Sequence, residues 1–137
     1  MRRRWASVLS IALVLAAASC SKPSASQQVA ERFMELYYSR MNVAEAAQLS
    51  SGAARTRLDA ELRALQGVAP DPPSGEPRVT FRLTANATPS PTQAIYTYAV
   101  SAHTADVDKI AATLTLAEED GRWVVTAFSE QQKSPAP

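Results

Sequence analysis

The sequence predicts an α+β domain in which N-terminal helices pack on a curved, four-stranded antiparallel sheet. Before residue 67 the apolar residues recur at helical spacing. A proline-rich run at 69–77 then ends the helical pattern, because proline cannot continue a helix. After it, apolar and polar residues alternate as in half-buried strands, and an Asp-Gly pair predicts a tight hairpin. We therefore place the domain at residues 28–131, followed by a disordered tail at 132–137.

Three helices are predicted in the first half of the chain. The first covers 27–40, where four apolar residues share one face: Val29, Phe33, Leu36 and Tyr37. The second covers 43–49 and begins with a capping box, in which Asn42 accepts a backbone N–H and Glu45 reaches back. The third is marked by three leucines and ends at Gly67: Leu58, Leu62 and Leu65.

The outward face of the third helix carries alternating charges. These residues are Arg55, Arg57, Asp59, Glu61 and Arg63. Asp59 precedes Arg63 by four positions, which predicts an exposed ion pair between them. We interpret this face as solvated, with a contact site for a partner as the alternative.

Four strands are predicted after the proline-rich run. The first, 78–85, turns its polar face outward with Arg78, Thr80, Arg82 and Thr84, which form either an ordinary solvated face or an opposite-charge or polar contact site for a partner. A turn is expected at 86–92, because it contains Pro89 and Pro91. The second strand, 93–103, and the third, 109–117, each place alternate residues on one face: Tyr96, Tyr98 and Val100, then Ile110, Ala112, Leu114 and Leu116.

The last strand follows the Asp120-Gly121 hairpin and covers 122–130. Strict alternation predicts three residues on its inner face: Trp123, Val125 and Ala127. The consecutive hairpins make the sheet a meander.

The first twenty residues have the pattern of an export signal. Three arginines at positions 2–4 precede an apolar run at 5–15, and small residues at 16–19 lead to Cys20. The block Ala17-Ala18-Ser19-Cys20 resembles the lipobox of bacterial lipoproteins. That resemblance implies removal of residues 1–19, acylation of Cys20, including palmitate, and a tether over 20–27. Ser21 after the cysteine implies outer-membrane sorting, on the periplasmic side, in a cell with two membranes.

The same N-terminal segment has two alternatives to lipidation, a retained transmembrane anchor and an ordinary secretory signal. A retained transmembrane anchor needs roughly 20 apolar residues, and the stretch between Arg4 and Lys22 is shorter. An ordinary secretory signal is the closer rival, since Ala17 stands where lipoboxes favour leucine. That alternative would carry one unpaired thiol into an oxidising compartment.

Composition bounds the partners and cofactors. Removal of residues 1–19 takes away three of the 14 basic residues and none of the 13 acidic ones, which leaves a formal charge of −2. No basic stripe with interleaved aromatic residues occurs, so we expect no nucleic-acid partner. One histidine and one cysteine are too few for a dedicated metal site, and we expect no metal or other cofactor. The sequence does not determine the oligomeric state.

Residues at both ends of the domain resemble small nuclear transport factor 2-like (cystatin-like) domains, especially the short lipoprotein members. The matching residues are Val29-Ala30-Glu31-Arg32-Phe33 with Tyr37, Asn42-Val43-Ala44-Glu45-Ala46-Ala47 with Leu49, and Asp120-Gly121-Arg122-Trp123-Val124-Val125 with Phe128. The resemblance implies a cone-shaped fold that often has a pocket at its open end. We expect such a pocket beside four aromatic residues: Phe33, Tyr37, Tyr96 and Tyr98.

The residues for catalysis are sparse. The ketosteroid-isomerase branch of that fold uses acidic and tyrosine side chains in an apolar pocket. Here no carboxylate lies on the apolar face of a strand before Glu118, in an acidic turn at 118–120. His103 lies near Ser101, Asp106 and Asp108, but no nucleophile elbow surrounds the serine. We therefore expect no catalytic residues.

Three functions stay open on the sequence. The favoured one is a membrane-anchored cell-envelope lipoprotein whose domain binds a partner protein or acts as an accessory subunit. The alternative is the binding of a small apolar ligand in the mouth of the cone. The third is an enzyme of the isomerase or dehydratase type.

Overall fold

The computed structural model describes residues 22–68, 79–102 and 110–132. It has the predicted α+β architecture. The elements are α1 (Ala25–Met34), a π-helical turn (Glu35–Ser39), α2 (Val43–Gln48), α3 (Gly52–Ala64), β1 (Val79–Ser90), β2 (Gln93–Ala102), β3 (Ile110–Glu119) and β4 (Arg122–Gln132). The strands form one antiparallel sheet in the order β1-β2-β3-β4. Helix α1 packs mainly on β4, β2 and β3, and α3 packs on β4.

Helix α1 begins earlier than the hydrophobic pattern indicated. Ser24 is its N-cap and accepts a hydrogen bond from the backbone N–H of Gln27, so the helix begins at Ala25, inside the assigned tether. At its other end the backbone N–H of Arg40 donates to the Glu35 carbonyl at 2.9 Å, a five-residue spacing that defines the π-helical turn.

The start of α2 has half of the predicted capping box. The Asn42 side chain accepts from the Glu45 N–H at 3.1 Å, as expected. The predicted reciprocal bond, from the Asn42 N–H to the Glu45 carboxylate, is wrong. The Asn42 N–H donates instead to the Leu36 carbonyl at 2.8 Å, and the Glu45 carboxylate lies 3.8 Å from Arg32. The Asn42 side chain therefore caps α2, whereas its backbone N–H bonds to the preceding π-helical turn.

Helix α3 follows α2 after three residues. Its C-cap is Leu65, two residues before the predicted Gly67, which instead has a φ of +85° in the turn where the Val68 N–H donates to the Leu65 carbonyl at 3.1 Å. The predicted ion pair of Asp59 with Arg63 is wrong. Asp59 pairs with Arg55 instead, at 3.0 Å. Arg55 also donates to the Ala47 carbonyl at 3.0 Å, which holds its guanidinium on that side of the helix.

Strand β1 is longer than the alternation predicted. Residues 86–90, expected in the turn, continue the strand, and only Pro91 and Thr92 form the turn. Two register shifts, between Leu83 and Ala85 and between Ala87 and Ser90, accommodate this extension. Among the described residues β1 pairs only with β2, so a proline near its end removes no ladder bond on a second side.

The β3–β4 hairpin has the predicted turn, since Asp120 and Gly121 both have positive φ values, 51° and 77°. The inner face of β4 differs from strict alternation. The register passes from Leu116 opposite Val125 to Thr115 opposite Ala127, which leaves one extra residue in β4. Phe128 therefore takes the inner position instead of Ala127, and it is buried opposite Leu114.

The core lies between the helices and the inner face of the sheet. Its largest fully buried side chains are Phe33, Met34, Leu58, Tyr98, Leu114, Leu116 and Val125. Trp123 and Leu62 are partly buried against it, whereas Leu65, the last of the three predicted helix markers, is exposed. Inner positions predicted for β2 and β3 are confirmed, with Tyr96, Tyr98, Val100, Ala112, Leu114 and Leu116 all buried.

Candidate functional site

An open groove lies between α1 and the edge strand β1. Its volume is about 370 Å³. The residues that line it are Gln28, Glu31, Arg32, Glu35 and Phe81. Gln28 and Arg32 are four residues apart, as are Glu31 and Glu35, so the four side chains share one face of α1 and the π-helical turn. Phe81 faces them from β1. We call this the α1–β1 groove.

The groove exists because the helices leave one strand incompletely covered. Phe81 and Leu83 lie opposite Val100 and Tyr98, and so share the inner face of the sheet. They are nevertheless only half-buried, whereas their partners on β2 are buried. The edge of the inner face is therefore a shallow apolar surface beside a polar helix.

The charges along the helical wall are unevenly paired. Glu35 contacts Arg40 at 2.6 Å and Arg32 at 3.2 Å. Glu31 accepts a hydrogen bond from the Gln27 side chain at 2.9 Å. Within the part of the chain that the structure describes, no arginine or lysine lies within ion-pair distance of Glu31. Of the two carboxylates that line the groove, Glu31 is therefore the one without an ion pair among the described residues, since the adjacent Arg32 pairs with Glu35 and Glu45.

Tyr98 lies next to the groove with an unusual hydroxyl. Its ring meets Phe81 edge-to-face at 5.7 Å, and the residue is 1% exposed. Among the described residues, its hydroxyl is the one buried side-chain oxygen or nitrogen without a hydrogen-bond partner. Burial, and then the nearby Glu31 carboxylate, raise the pKa of Tyr98.

The hydroxyl of Tyr96, by contrast, is fully engaged. It lies 2.6 Å from Ser26 Oγ and 3.1 Å from the oxygen of the helix cap, Ser24. This contact fastens the beginning of α1 to the second strand. It also fixes the point at which the N-terminal segment joins the domain.

A second cluster of polar residues joins the π-helical turn, α3 and β4. We call it the Arg57 cluster, and it comprises Arg57, Tyr37, Tyr38, Glu61, Phe128 and Glu130. The Tyr37 hydroxyl donates to Glu61 at 2.8 Å, and the Tyr38 hydroxyl donates to Glu130 at 2.6 Å. Burial, and then the hydrogen bonds to these carboxylates, raise the pKa of both tyrosines.

Arg57 lies at the centre of that cluster. Its guanidinium is 4.0 Å from the Phe128 ring centroid and donates to the Phe128 carbonyl at 3.3 Å. It also lies 3.7 Å from Glu61 and 3.6 Å from Glu130. The charged face of α3, predicted to be solvated, therefore also attaches this helix to the sheet through Arg57.

The four aromatic residues expected beside a pocket lie in the core. Phe33, Tyr96 and Tyr98 are buried, and Tyr37 is half-buried. Phe33 stacks on Tyr37 at 5.7 Å, and both contact Phe128, away from the Tyr98–Phe81 pair. None of the four lines the α1–β1 groove. That they border a ligand pocket stays a prediction.

Several predicted sites lie outside the described residues. These are Cys20 with the preceding signal segment, Arg78, the proline-rich run at 69–77, His103 with Asp106 and Asp108, and the end of the chain from 133. Of the acidic turn, Glu119 accepts a hydrogen bond from Ser51 at 3.0 Å. In the described ranges no three His, Cys, Asp or Glu side chains come together as metal ligands, and no helix is both long and apolar enough to cross a bilayer.

Comparison with other proteins gives no further assignment. No protein-family model matches this chain, and no curated protein sequence matches it significantly.

Proposed function

We propose that this protein is a lipid-anchored component of the cell envelope, whose domain binds a partner protein and performs no chemistry of its own. In this proposal residues 1–19 are removed and Cys20 is acylated. Two or more acyl chains anchor a protein stably, whereas one binds only reversibly. The domain would be displayed on the outer face of a membrane, which is the outer membrane on its periplasmic side where a cell has two.

The observation that carries the proposal is the filled interior of the domain. The inward aromatic residues Phe33, Tyr96 and Tyr98 are buried in packed core. Three of the four tyrosine hydroxyls, those of residues 37, 38 and 96, are bonded to protein side chains. Such an interior favours a function at the surface, because, apart from the Tyr98 hydroxyl, these aromatic side chains are already packed or hydrogen-bonded within the domain.

The position of the first helix supports a close attachment to the bilayer. Ser24 is bonded to Tyr96, so the folded domain begins four residues after Cys20. An extended segment of that length spans at most about 14 Å. The domain would therefore stay near the lipid surface, and a partner would be another molecule of the envelope.

The likeness to nuclear transport factor 2-like domains belongs to the same proposal. Helices that precede an antiparallel meander, and that pack on one of its faces, agree with this fold. That fold carries many unrelated functions, so it assigns none here.

A second candidate function is the binding of a small ligand in the α1–β1 groove. It is favoured by the unpartnered hydroxyl of Tyr98, whose ring contacts the groove residue Phe81, since buried polar groups ordinarily have a partner.

The anchor is tested by Cys20→Ser in the full-length protein expressed in a bacterium that lipidates exported proteins. We expect the variant to lose incorporated palmitate and either to leave the washed membrane fraction or to keep residues 1–19 because its processing stalls, while Ser21→Ala, the matched control, is lipidated and processed normally. A Cys20→Ser protein that still incorporates palmitate and is still cut before residue 20 would contradict the proposal. So would a mass spectrum of the native protein with Met1 present and the thiol unmodified.

A further inference from the structure

The two edges of the sheet are protected differently. At the β4 edge, the backbone of the α2–α3 connection pairs with Val125: its N–H donates to the Leu49 carbonyl at 2.8 Å, and its carbonyl accepts from the Ser51 N–H at 2.9 Å. In the described part of the chain, β1 pairs only with β2. An edge strand presents a row of backbone donors and acceptors to which another extended segment can be added.

The regular part of the β1 edge lies beside the α1–β1 groove. Val79 to Leu83 pair with β2 in unbroken register, and the first register shift follows Leu83. The Ser39 hydroxyl donates to the Val79 carbonyl at 3.3 Å, at the beginning of this run. A bulge turns the strand away from a partner. An added segment would thus have about five residues of β1 to pair with, roughly 17 Å.

The side chains around this run define what such a segment must carry. On the inner face lie the half-buried Phe81 and Leu83, with Glu31 across the groove. On the outer face Thr80, Arg82 and Thr84 are exposed. Alternate residues of an added strand point to these two faces.

We propose that an extended segment of a partner protein adds to β1 along Val79–Leu83 as a fifth strand. The segment places an apolar and a basic side chain on its inner face, against Phe81 and Glu31, and an acidic or polar side chain on its outer face, near Arg82. This inference rests on the proposed function as a partner-binding domain. The surface is the β1 edge, and the partner is an extended segment with charges complementary to Glu31 and Arg82.

Two features favour a partner protein over a second copy of this chain. Two-fold pairing of β1 with itself would bring both Arg82 side chains to the same face of a five-residue contact, and neighbouring like charges destabilise strand pairs. The copy would also offer no basic side chain for Glu31 from the inner face of that run, which carries Val79, Phe81 and Leu83. A segment with the opposite charge pattern satisfies both faces.

The test uses ten-residue random peptides displayed on phage, selected against the immobilised full-length protein. Recovered peptides are synthesised, and their affinity is measured by fluorescence polarisation. We expect alternating sequences with a basic residue among apolar ones. Glu31→Gln should weaken them by roughly fivefold, the size of an exposed ion pair. Glu118→Gln, which removes an exposed carboxylate outside the groove, should change the affinity less than twofold.

A second measurement locates the bound peptide independently of any substitution. Hydrogen exchange of the Val79–Leu83 amides should slow when the peptide is added, with no change in β4. Phe81→Ala should weaken binding more than Glu31→Gln, and its circular dichroism melt is recorded beside it. If Phe81→Ala does not fold, the Glu31→Gln comparison and the exchange data still decide.

Four results would overturn the proposal. These are the recovery of no peptide, equal affinity for wild type and Glu31→Gln, protection at another strand, and protection of the β1 edge before any peptide is added. The last result would assign the edge to residues of this chain, or to a second copy if sedimentation shows a dimer. Membrane release of Cys20→Ser is scored separately, so failure of the anchor and failure of the groove are distinguishable.

Discussion

Replacement of Arg57 by alanine tests whether α3 is held to the sheet through its charged face. The guanidinium lies 4.0 Å from the Phe128 ring centroid, a contact that contributes about 0.5–1 kcal/mol at a partly exposed site. Its hydrogen bond to the Phe128 carbonyl is long, 3.3 Å, and contributes roughly 0.5–1 kcal/mol.

The two carboxylates near Arg57 add less. Glu61 and Glu130 lie 3.7 and 3.6 Å away, with side chains about a third exposed, so each pair contributes roughly 0.2–0.4 kcal/mol. Both carboxylates keep their tyrosine donors after the substitution. Arg57→Ala should therefore lower the free energy of unfolding by about 1.4–2.8 kcal/mol.

The assay is urea unfolding of wild type and three variants at low and high salt. Arg63→Ala, on the exposed side of the same helix, should change the free energy of unfolding by less than about 0.5 kcal/mol. Arg57→Lys should lose most of what alanine loses, because an ammonium group cannot cover the ring as a planar guanidinium does. Most of the loss should persist in about 1 M salt, where exposed ion pairs are screened. An Arg57→Ala protein as stable as Arg63→Ala would refute the reasoning.

Three further predictions concern hydroxyls and a turn. Tyr96→Phe should cost about 1 kcal/mol in thermal unfolding, because it removes the buried hydrogen bond to Ser26 and leaves that oxygen only Ser24 at 3.2 Å, whereas Tyr98→Phe should be neutral or stabilising. Gly121→Ala should cost about 1 kcal/mol, since φ is +77° there. The raised pKa values of Tyr37 and Tyr38 mean that only the unfolded chain releases these protons near pH 10, so stability should fall above that pH. Equal melts at pH 9 and 11 would contradict the last prediction.

The parts of the fold that depend on local patterns were predictable. Alternation placed Tyr96 and Tyr98 on the inner face of β2, and the Asp-Gly pair specified its hairpin. Alternation failed on β4, because the extra residue near Thr126 is set by pairing with β3 and leaves no mark in the composition. Phe128, the largest residue of that strand after Trp123, was the available signal for a shifted inner face.

The groove itself could not be predicted, because it results from how the helices share the sheet. Four strands about 4.8 Å apart place the outer strand axes about 14 Å from each other, and one helix is roughly 10 Å wide. Helix α3 is fastened to β4 through Arg57, and α1 packs mainly on β4, β2 and β3. The remaining width lies over β1, which leaves Phe81 and Leu83 half-buried beside Glu31. Since the β4 edge is also paired at Val125, both features leave β1 as the open edge among the described strands, which is the edge proposed to bind a partner segment.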